Sequence, residues 1–519
     1  MTEMKADIII IGGSLGGTLA AFSAAKSGKK VILTEETDWL GGQLTSQAVP
    51  PDEHQWIEQF GCTQTYREFR NRVREYYRKN YPLKQEEKEN PVLNPGNAWV
   101  SRLSHEPKVA LSILNEMLSP YVNSGRISVI YSAVPVGAEV ENDVIQSVAV
   151  EKSVTGERIL LKAPFFIDAT ECGDLLPLTG AEYVTGAESR AETGEEHAGE
   201  VSRPQDMQSF TYVFALEHIE GEDFTIEKPA QYEYWMEYQA PFLKHKQLSW
   251  FIPDAHTGSS KEFAMFSHED SWGLWDYRRI ADKSYYKDLY EGDISLINWP
   301  QNDYWLGSII DVDEDEKEKH LYQSKQLGYS LLYWLQTEAP RSDGGTGYPG
   351  LRMRGDVLGT DDGFAKYPYI RESRRIKAVH TVVEEDINAN LRDSIKKVKD
   401  SVGIGCYRID LHPTIETNTF FYAESFPFEI PLGSLIPVRL KNLLPACKNI
   451  GTTHLTNGCF RVHPVEWNIG ESAGYLAAFA ADHNVTPKEV LEQEDLLRSY
   501  QSMLEKNGIV LHWPEIGAV

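Results

Sequence analysis

The hydrophobic pattern of the first 35 residues predicts one strand–helix–strand unit. Residues 6–11 form a short apolar run rich in isoleucine, which is typical of a parallel strand buried on both faces. A glycine-rich turn over 12–17 leads into a predicted helix over 18–27, where alanine recurs. A second apolar run over 30–34 predicts the next parallel strand, which ends at Glu35. The pattern therefore places a glycine turn between two neighbouring strands of a parallel sheet.

The rest of the chain alternates between predicted strands and helices. Short apolar runs between residues 127 and 170 predict a β-rich insertion that returns the chain to the parallel sheet. A short strand over 442–446 is followed by a polar segment over 447–465, which we expect to be a loop. Periodic segments predict helices over 66–79, 107–118, 317–336 and 466–481. We expect the first of these helices to be exposed and the last forty residues to form a helical cap.

The turn over 12–17 has the chemistry of a dinucleotide-binding site. Free backbone N–H groups and the positive end of the helix would face a pyrophosphate. Glu35 follows Gly17 by 18 positions, where an acidic side chain can accept from a ribose hydroxyl. Ser14 replaces the middle glycine of the G-x-G-x-x-G pattern and brings a hydroxyl close to the phosphates. Strand, turn, helix, strand and acid together favour dinucleotide binding over an ordinary β-α-β turn.

Composition excludes several classes of function. The 519-residue chain carries a formal net charge of −26, and such a surface repels nucleic acids and anionic membranes. Its five cysteines show no C-x-x-C spacing, which argues against an iron–sulfur cluster, a structural zinc site or a redox dithiol, and we expect no metal site. The first residues are too few and too polar for a signal peptide, and no apolar run reaches membrane-spanning length. We therefore expect a cytoplasmic protein.

Aromatic residues concentrate in the middle of the chain. Such side chains stack on sugar rings or flat heterocycles, or they fill a large core or an interface between copies in a homo-oligomer. The core or interface is the more common role. Seven of the twelve tryptophans lie between residues 230 and 335, namely Trp235, Trp250, Trp272, Trp275, Trp299, Trp305 and Trp334.

Three stretches carry a family resemblance. They are residues 8–42, with the glycine turn and Glu35, residues 166–174, and residues 442–474. The Tyr-Ile-Arg-Glu-Ser-Arg-Arg-Ile run over 369–376 adds to them. In these stretches the chain resembles the FAD-dependent oxidoreductases of the glutathione-reductase-like superfamily, and it is most similar to the bacterial group known as FAD-dependent oxidoreductases.

The resemblance implies an α/β fold built in three parts. A Rossmann-like FAD-binding domain, with a parallel sheet and a β insertion, would comprise residues 1–180 and 430–485. Residues 181–429 would form an α+β substrate domain inserted into it. Residues 486–519 would form the helical cap.

The resemblance also implies which residues contact FAD. The glycine turn would hold the pyrophosphate and Glu35 the adenosine ribose. The backbone of Val134 would meet the adenine, and the segment after the strand at 165–168 would close over the adenosine half. Residues 470–473 would point a helix N-terminus at the flavin pyrimidine. The full set is Gly12, Gly13, Ser14, Gly17, Glu35, Gly42, Gln43, Val134, Ala169, Thr170, Gly470, Ser472 and Ala473.

A flavin implies hydride transfer, and the sequence indicates where the hydride comes from. Residues 402–406 contain two glycines but lack the third glycine and the acidic partner that a second dinucleotide-binding motif needs. We therefore predict a dehydrogenase or oxidase that removes hydride from a CH–OH or CH–NH carbon of a polar, sugar-like small molecule to flavin N5. Oxygen, a quinone or another protein would accept the electrons. An NAD(P)H-fed reductase or hydroxylase is the alternative, and a tRNA-modifying flavoprotein is disfavoured by the acidic charge.

The candidate bases are histidines, since imidazole titrates near neutral pH. His454 is the preferred candidate, followed by His463 and His412, although a structural role is more common for any single histidine. Arg461 would offset charge on the flavin or on a substrate carboxylate. Cys62 is a lone thiol that offers either a covalent flavin link or, more commonly, a buried structural side chain.

Overall fold

A five-stranded parallel sheet forms the centre of the fold. The computed structural model describes residues 2–254, 259–267, 273–418 and 420–519. All four strand pairings in this sheet are parallel, and the central strand is the first apolar run of the sequence. The predicted β-α-β unit is thus confirmed. Across the sheet the strand order is Leu443–Pro445, Phe165–Asp168, Ile8–Ile11, Val31–Glu35 and Ile127–Tyr131.

Two helices pack closely on one another beside this sheet. Helix Leu15–Lys26 follows the glycine turn, and helix His463–His483 comes from the far end of the chain. A Cβ atom at Gly470 would lie only 2.2 Å from the carbonyl oxygen of Gly16, so only glycine permits this approach. The first strand–helix unit therefore completes its packing against residues more than 440 positions later.

The predicted β insertion forms a second sheet. Its strands, in order across the sheet, are Thr2–Lys5, Arg158–Lys162, Val144–Lys152 and Ala133–Glu141. The last three form an antiparallel meander, while Thr2–Lys5 pairs in parallel with Arg158–Lys162. The first of these strands was not predicted, because three of its four residues are polar and exposed.

The middle of the chain forms an antiparallel sheet covered by a long helix. The sheet order is Arg279–Ala281, Ile294–Ile297, Phe214–His218 and Leu351–Met353, and the helix is Glu314–Thr337. Five of the seven tryptophans of this region lie in one aromatic core, so their predicted role in a core is confirmed. Trp305 lines a cavity instead. Trp272 falls outside the described residues. The five are Trp235, Trp250, Trp275, Trp299 and Trp334.

The remaining regular elements are short apart from two helices of 17 residues. The other α-helices are Gln64–Asn80, Gln85–Glu89, Pro107–Asn123, Leu175–Thr179, Arg190–Thr193, Tyr232–Glu237, Gly355–Leu358, His454–Phe460, Pro487–Glu492 and Glu494–Lys506. The other strands are Tyr183–Val184, Phe210–Thr211, Phe251–Pro253, Ser260–Glu262, Asp303–Tyr304, Arg375–Ile376, Ser401–Gly405, Ile409–Leu411, Phe421–Ala423 and Phe428–Pro431.

Two predictions about individual elements were wrong, namely the exposure of one helix and the loop over 447–465. Helix Gln64–Asn80 is not exposed, because Tyr66, Phe69 and Tyr77 are buried at helical spacing between arginines. The predicted loop over 447–465 contains helix His454–Phe460, whose N-terminus is capped by Thr453. The following helix begins at His463, three residues before the predicted start.

Packing also crosses the predicted domain boundary at residue 430. Strand Ser401–Gly405 pairs with Phe428–Pro431 and shares a core with helix His463–His483. The division into three domains stays a prediction. Within the described ranges, no helix combines the length and the apolarity needed to cross a bilayer.

Candidate active site

A cavity of about 430 Å³ lies at the carboxyl ends of the parallel strands. We call it the first cavity. In open α/β sheets this edge is where ligands bind, because the turns after successive strands meet there. Seven of the predicted cofactor residues line this cavity, and they come from four separate parts of the chain. They are Gly12, Ser14, Glu35, Gly42, Val134, Ala169 and Thr170.

Glu35 is held at the mouth of the glycine turn. Its carboxylate accepts from the amide of Gly13 at 3.0 Å and from the amide of Thr37 at 2.8 Å. Burial raises the pKa of Glu35 to about 7, although the hydrogen bonds from Thr37 favour the charged form. The carboxylate therefore occupies a fixed position beside the turn, as the sequence pattern predicts for a ribose-binding acid.

The raised pKa of Glu35 predicts how stability depends on pH. A carboxyl whose pKa is higher in the folded protein than in the unfolded chain stabilises the fold at low pH, and this contribution is lost as pH rises towards 7. For Glu35 the loss is about 3 kcal/mol between pH 4.5 and 7.5. Urea unfolding of the apoprotein at both pH values should show this decrease in the free energy of unfolding. For Glu35→Gln the decrease should be smaller by about 3 kcal/mol. Parallel profiles for the two proteins would contradict the prediction.

Glycine is required at two positions in the turn, Gly12 and Gly17, and at Gly42, which faces the turn. Gly12 has a φ of +100°, and a Cβ atom there would lie 2.3 Å from the carbonyl oxygen of Ala169. A Cβ atom at Gly17 would lie 2.0 Å from the carbonyl oxygen of Gly12. A Cβ atom at Gly42 would lie 2.9 Å from the amide nitrogen of Leu15, at the N-terminus of helix Leu15–Lys26. The absence of this side chain leaves the helix N-terminus accessible to a phosphate.

Ser14 occupies the position of the middle glycine without closing the cavity. Its hydroxyl oxygen accepts from the amide of Gly17 at 3.1 Å and so caps helix Leu15–Lys26. The serine therefore stabilises the helix end that faces the ligand. Gly13, by contrast, does not line the cavity and acts by donating its amide to Glu35.

A buried charged cluster lies directly behind the turn. Lys448 Nζ lies 2.5 Å from Glu171 and 3.4 Å from Glu466, and the lysine and Glu466 side chains are fully buried. The other oxygen of Glu466 accepts from the amide of Gly16 at 3.0 Å, and Gln43 donates to the same carboxylate. Burial opposes the charge on Lys448, but the neighbouring thiol and carboxylates raise its pKa well above the ordinary value. Lys448 therefore remains an ammonium that neutralises the carboxylates.

Unpaired polar atoms beside this cluster fit an FAD molecule. Gln43 Oε1, Glu171 Oε1 and both amide atoms of Gln47 are buried and have no hydrogen-bond partner among the described residues. A flavin ring offers N–H and carbonyl groups along one edge, which suits an amide that has a donor and an acceptor to spare. Gln47 was not predicted, since a lone glutamine in an unpatterned segment carries no signal.

Three predicted cofactor residues are placed differently. Because helix His463–His483 begins at His463, Gly470, Ser472 and Ala473 lie in its middle and do not form its N-terminus. Gly470 packs on Gly16, and the Ser472 hydroxyl donates to the carbonyl of Val402 at 2.7 Å. The prediction that these residues point a helix end at the flavin is wrong, because their role in this position is packing.

A larger cavity of about 880 Å³ lies next to the aromatic middle region. We call it the second cavity. Aromatic rings form much of its wall, whereas its polar side chains are grouped at one end. The rings are Phe242, Phe251, Tyr277, Trp305 and Phe420, and the polar side chains include Gln247, Gln301, Asp303, Asp410 and His412.

His412 forms a hydrogen-bonded pair with Asp303 in the second cavity. Nδ1 of His412 lies 2.6 Å from Asp303 Oδ2, and Asp303 also accepts from Arg371 at 2.9 Å. Burial opposes the charge of Asp303, but Arg371 and His412 lower its pKa to about 2. Burial, followed by Arg371, lowers the pKa of His412 below its ordinary value. The imidazole is therefore neutral at pH 7, with Nδ1–H directed at Asp303 and Nε2 left as an acceptor.

The two other candidate histidines lie outside both cavities. His454 Nδ1 lies 2.9 Å from Glu372, and although burial opposes the charge, this carboxylate raises the pKa of His454. In His463, Nδ1 accepts from the amide of Asp52 and Nε2 lies 3.0 Å from the carbonyl oxygen of Val49. Burial lowers the pKa of His463 to about 3. Both rings thus have hydrogen-bond partners and line neither cavity, and the preference for His454 as the base stays a prediction.

Arg461 connects the two parts of the site. Its guanidinium donates to the backbone oxygen of Asp410 at 3.0 Å and lies 3.3 Å from the Asp410 carboxylate. Its backbone oxygen accepts from Gln43 Nε2 at 3.2 Å. The charge of Arg461 is therefore paired with Asp410, and a chain of contacts runs from the second cavity to the cluster behind the glycine turn. Cys62 lines neither cavity, and burial raises its pKa to about 11.

The parallel sheet, its glycine turn and the fixed acid are typical of a dinucleotide-binding fold. A family model described as "FAD dependent oxidoreductase" matches residues 7–504. The chain therefore belongs to this family, and FAD is its cofactor. No curated protein sequence matches the chain.

Solved structures similar to this chain share little sequence with it. The OxyS anhydrotetracycline hydroxylase from Streptomyces rimosus is 10% identical, with a TM-score of 0.35 over 97% of this chain and 68% of that chain. A mutated E. coli quinol fumarate reductase FrdA is 11% identical, with a TM-score of 0.32 over 98% and 74%. The L-proline dehydrogenase from P. horikoshii is 14% identical, with a TM-score of 0.18 over 36% of this chain and 24% of that chain. The chain thus spans about a quarter of that dehydrogenase.

Proposed function

We propose that this FAD-dependent oxidoreductase oxidises a CH–OH or CH–NH carbon of a polar small molecule bound in the second cavity. FAD, when bound, supplies the hydride acceptor. The observation that carries the proposal is the His412–Asp303 pair, which combines a neutral imidazole with an oriented ring in a large cavity. A CH–OH or CH–NH group must give up a proton as its carbon loses hydride, and such a pair accepts protons at neutral pH.

The strand before His412 explains why this histidine reaches the cavity. Side chains two positions apart point to the same side of a strand. Asp410 and His412 are so related around the end of strand Ile409–Leu411, and both line the cavity together with the buried Leu411. Asp303 holds the tautomer of His412 that keeps Nε2 free to take a proton. Arg371, behind Asp303, keeps that carboxylate ionised.

The first cavity and the cluster behind it support a set of proposed cofactor contacts. Gly12, Ser14 and Gly42 would hold the pyrophosphate, and Glu35 the ribose. Gln43 and Gln47 would take up the flavin edge with their unpaired amide atoms. Lys448 would offset the two carboxylates that lie beside the phosphate position.

The alternative, in which external NAD(P)H reduces the flavin, lacks a supporting observation. Within strand Ser401–Gly405, a Cβ atom at Gly403 would meet Asn468 at 2.1 Å, and one at Gly405 would meet Phe428 at 2.2 Å. These glycines permit close packing against side chains and leave no room for a nucleotide.

Anaerobic flavin reduction tests the proposal. The FAD-loaded protein is mixed with single polyols, sugars, amines and hydroxy acids, and bleaching of the oxidised flavin near 450 nm is followed by stopped flow. We expect at least one of these compounds to bleach the flavin and NAD(P)H to bleach it slowly or not at all. Rapid bleaching by NAD(P)H alone would overturn the proposal in favour of a reductase or hydroxylase.

A further inference from the structure

We infer that the second cavity selects an organic cation, so that the substrate is an amine whose ammonium group lies between Asp410 and the aromatic wall. This inference rests on the proposed function, because it names the substrate class for the same cavity. Three observations support it independently of one another. They concern the charge of the lining, the hydrogen-bonding character of its polar atoms, and the aromatic faces that no cation of the protein covers.

The charged side chains that line the second cavity are acidic. Among the described lining residues these are Asp303 and Asp410, and neither lysine nor arginine lines the cavity. The Asp303 side chain is fully buried and bonded to Arg371, whereas that of Asp410 is 28% exposed and meets Arg461 through one oxygen at 3.3 Å. An anionic substrate would therefore find no positive group at the surface of the cavity, while a cation would find the partly open carboxylate of Asp410.

Two polar side chains of the cavity, Gln301 and His412, present hydrogen-bond acceptors. Gln301 Oε1 is buried and has no partner among the described residues, and Gln301 is only 3% exposed. His412 directs Nδ1 at Asp303, so its Nε2 is an acceptor. The two amide donors of the lining are already used, since Gln247 Nε2 donates to the carbonyls of Pro300 and Gln301 and Gln301 Nε2 donates to the carbonyl of Ser249. A ligand that complements this set brings donors, as an ammonium group with a hydroxyl does.

The aromatic wall offers uncovered ring faces close to the acid. The Phe242 and Trp305 rings are 5.8 Å apart and nearly perpendicular, and the Phe242 and Phe420 rings are 6.4 Å apart. In the described part of the chain no lysine or arginine lies over any of these three rings, although thirteen other cation–ring pairs occur in the protein. Aromatic faces grouped near a carboxylate are a recurring way to bind alkylammonium groups.

The same cavity would let His412 act on a primary or secondary amine. An ammonium group must lose one proton before its carbon can be oxidised. In that step an N–H bond of the substrate breaks, its electron pair stays on the substrate nitrogen, and the proton bonds to His412 Nε2. His412 Nε2 lies 4.0 Å from Asp410 Oδ2, so a nitrogen held by Asp410 is within reach of the base.

A pair of matched ligands tests the inference without turnover. Choline and its neutral isostere 3,3-dimethylbutan-1-ol have nearly the same shape and differ by one charge. Isothermal titration calorimetry on the FAD-loaded protein should show choline binding at least about tenfold more tightly than the isostere. Asp410→Asn should remove most of this preference, and Asp495→Asn, which makes the same charge change on an exposed helix, should leave it intact.

A second variant guards against misfolding of Asp410→Asn. Phe242 is partly exposed, so Phe242→Leu keeps an apolar side chain and removes only the ring face. It should weaken choline binding about threefold or more without changing the affinity for the isostere. Equal affinities of the parent protein for the two ligands would overturn the inference. Because the titration needs no oxidation, this outcome would leave the proposed function to be judged separately by flavin reduction.

Discussion

Replacing His412 by alanine should leave FAD bound and slow reduction of the flavin by about 10²–10⁴-fold. The change removes the acceptor nitrogen from the second cavity, whereas the residues around the first cavity keep their contacts. Stopped-flow bleaching with a substrate found in the anaerobic screen measures the rate. Because the pKa of His412 lies below its ordinary value, the parent enzyme should lose activity only below about pH 6.5, and this acid limb should disappear in the variant.

Two matched variants separate this base from the other histidines. His454→Ala breaks the contact with Glu372 and should reduce stability more than the rate of flavin reduction. His463→Ala leaves the amide of Asp52 without its acceptor, with the same consequence. If His412→Ala reduced the flavin at the parent rate while His454→Ala did not, the base would be His454.

Replacing Lys448 by methionine should produce the largest loss of stability. Glu171 and Glu466 would then be two carboxylates in a buried site without a cation, and breaking a buried charge pair in this way costs about 3–5 kcal/mol. FAD should also bind more weakly, because the uncompensated charge would lie beside the pyrophosphate position. Urea unfolding of the apoprotein and equilibrium titration with FAD measure the two effects.

A double variant shows whether charge is the cause. Lys448→Met with Glu466→Gln removes one carboxylate together with the ammonium and should recover part of both losses. Lys448→Met with Asp495→Asn alters an exposed acid instead and should recover neither. Full stability of the single variant would mean that the cluster carries one or more protons and needs no cation.

Local pattern was enough to predict the parts of the site that lie close together in sequence. The glycine turn and Glu35 belong to one β-α-β unit, so their spacing alone places the acid beside the turn. Val134 and Thr170 follow strands of predictable position, and both line the first cavity. In each case a short segment determines where the side chain goes, because parallel strands end at a common edge.

The other parts of the site depend on contacts between segments that are distant in sequence, and local pattern could not predict them. His412 is oriented in the second cavity by Asp303, which lies 109 positions earlier in the chain, and no spacing rule links the two. The predicted position of Gly470 at a helix N-terminus was wrong for the same reason, since Gly470 packs on Gly16 in the middle of the helix. Lys448 did carry a signal, namely a lone charge at the end of an apolar strand, which indicates a buried ion that must have partners.

The position of strand Leu443–Pro445 at the edge of the parallel sheet has a consequence for biosynthesis. During translation, the neighbouring strand Phe165–Asp168 emerges from the ribosome about 275 residues before its partner strand. Synthesis of these residues takes some tens of seconds at ordinary elongation rates. Until then its edge and the face of helix Leu15–Lys26 that receives helix His463–His483 remain uncovered. The nascent chain therefore exposes this strand edge and this helix face until synthesis is nearly complete, and the parallel sheet gains its last strand only then.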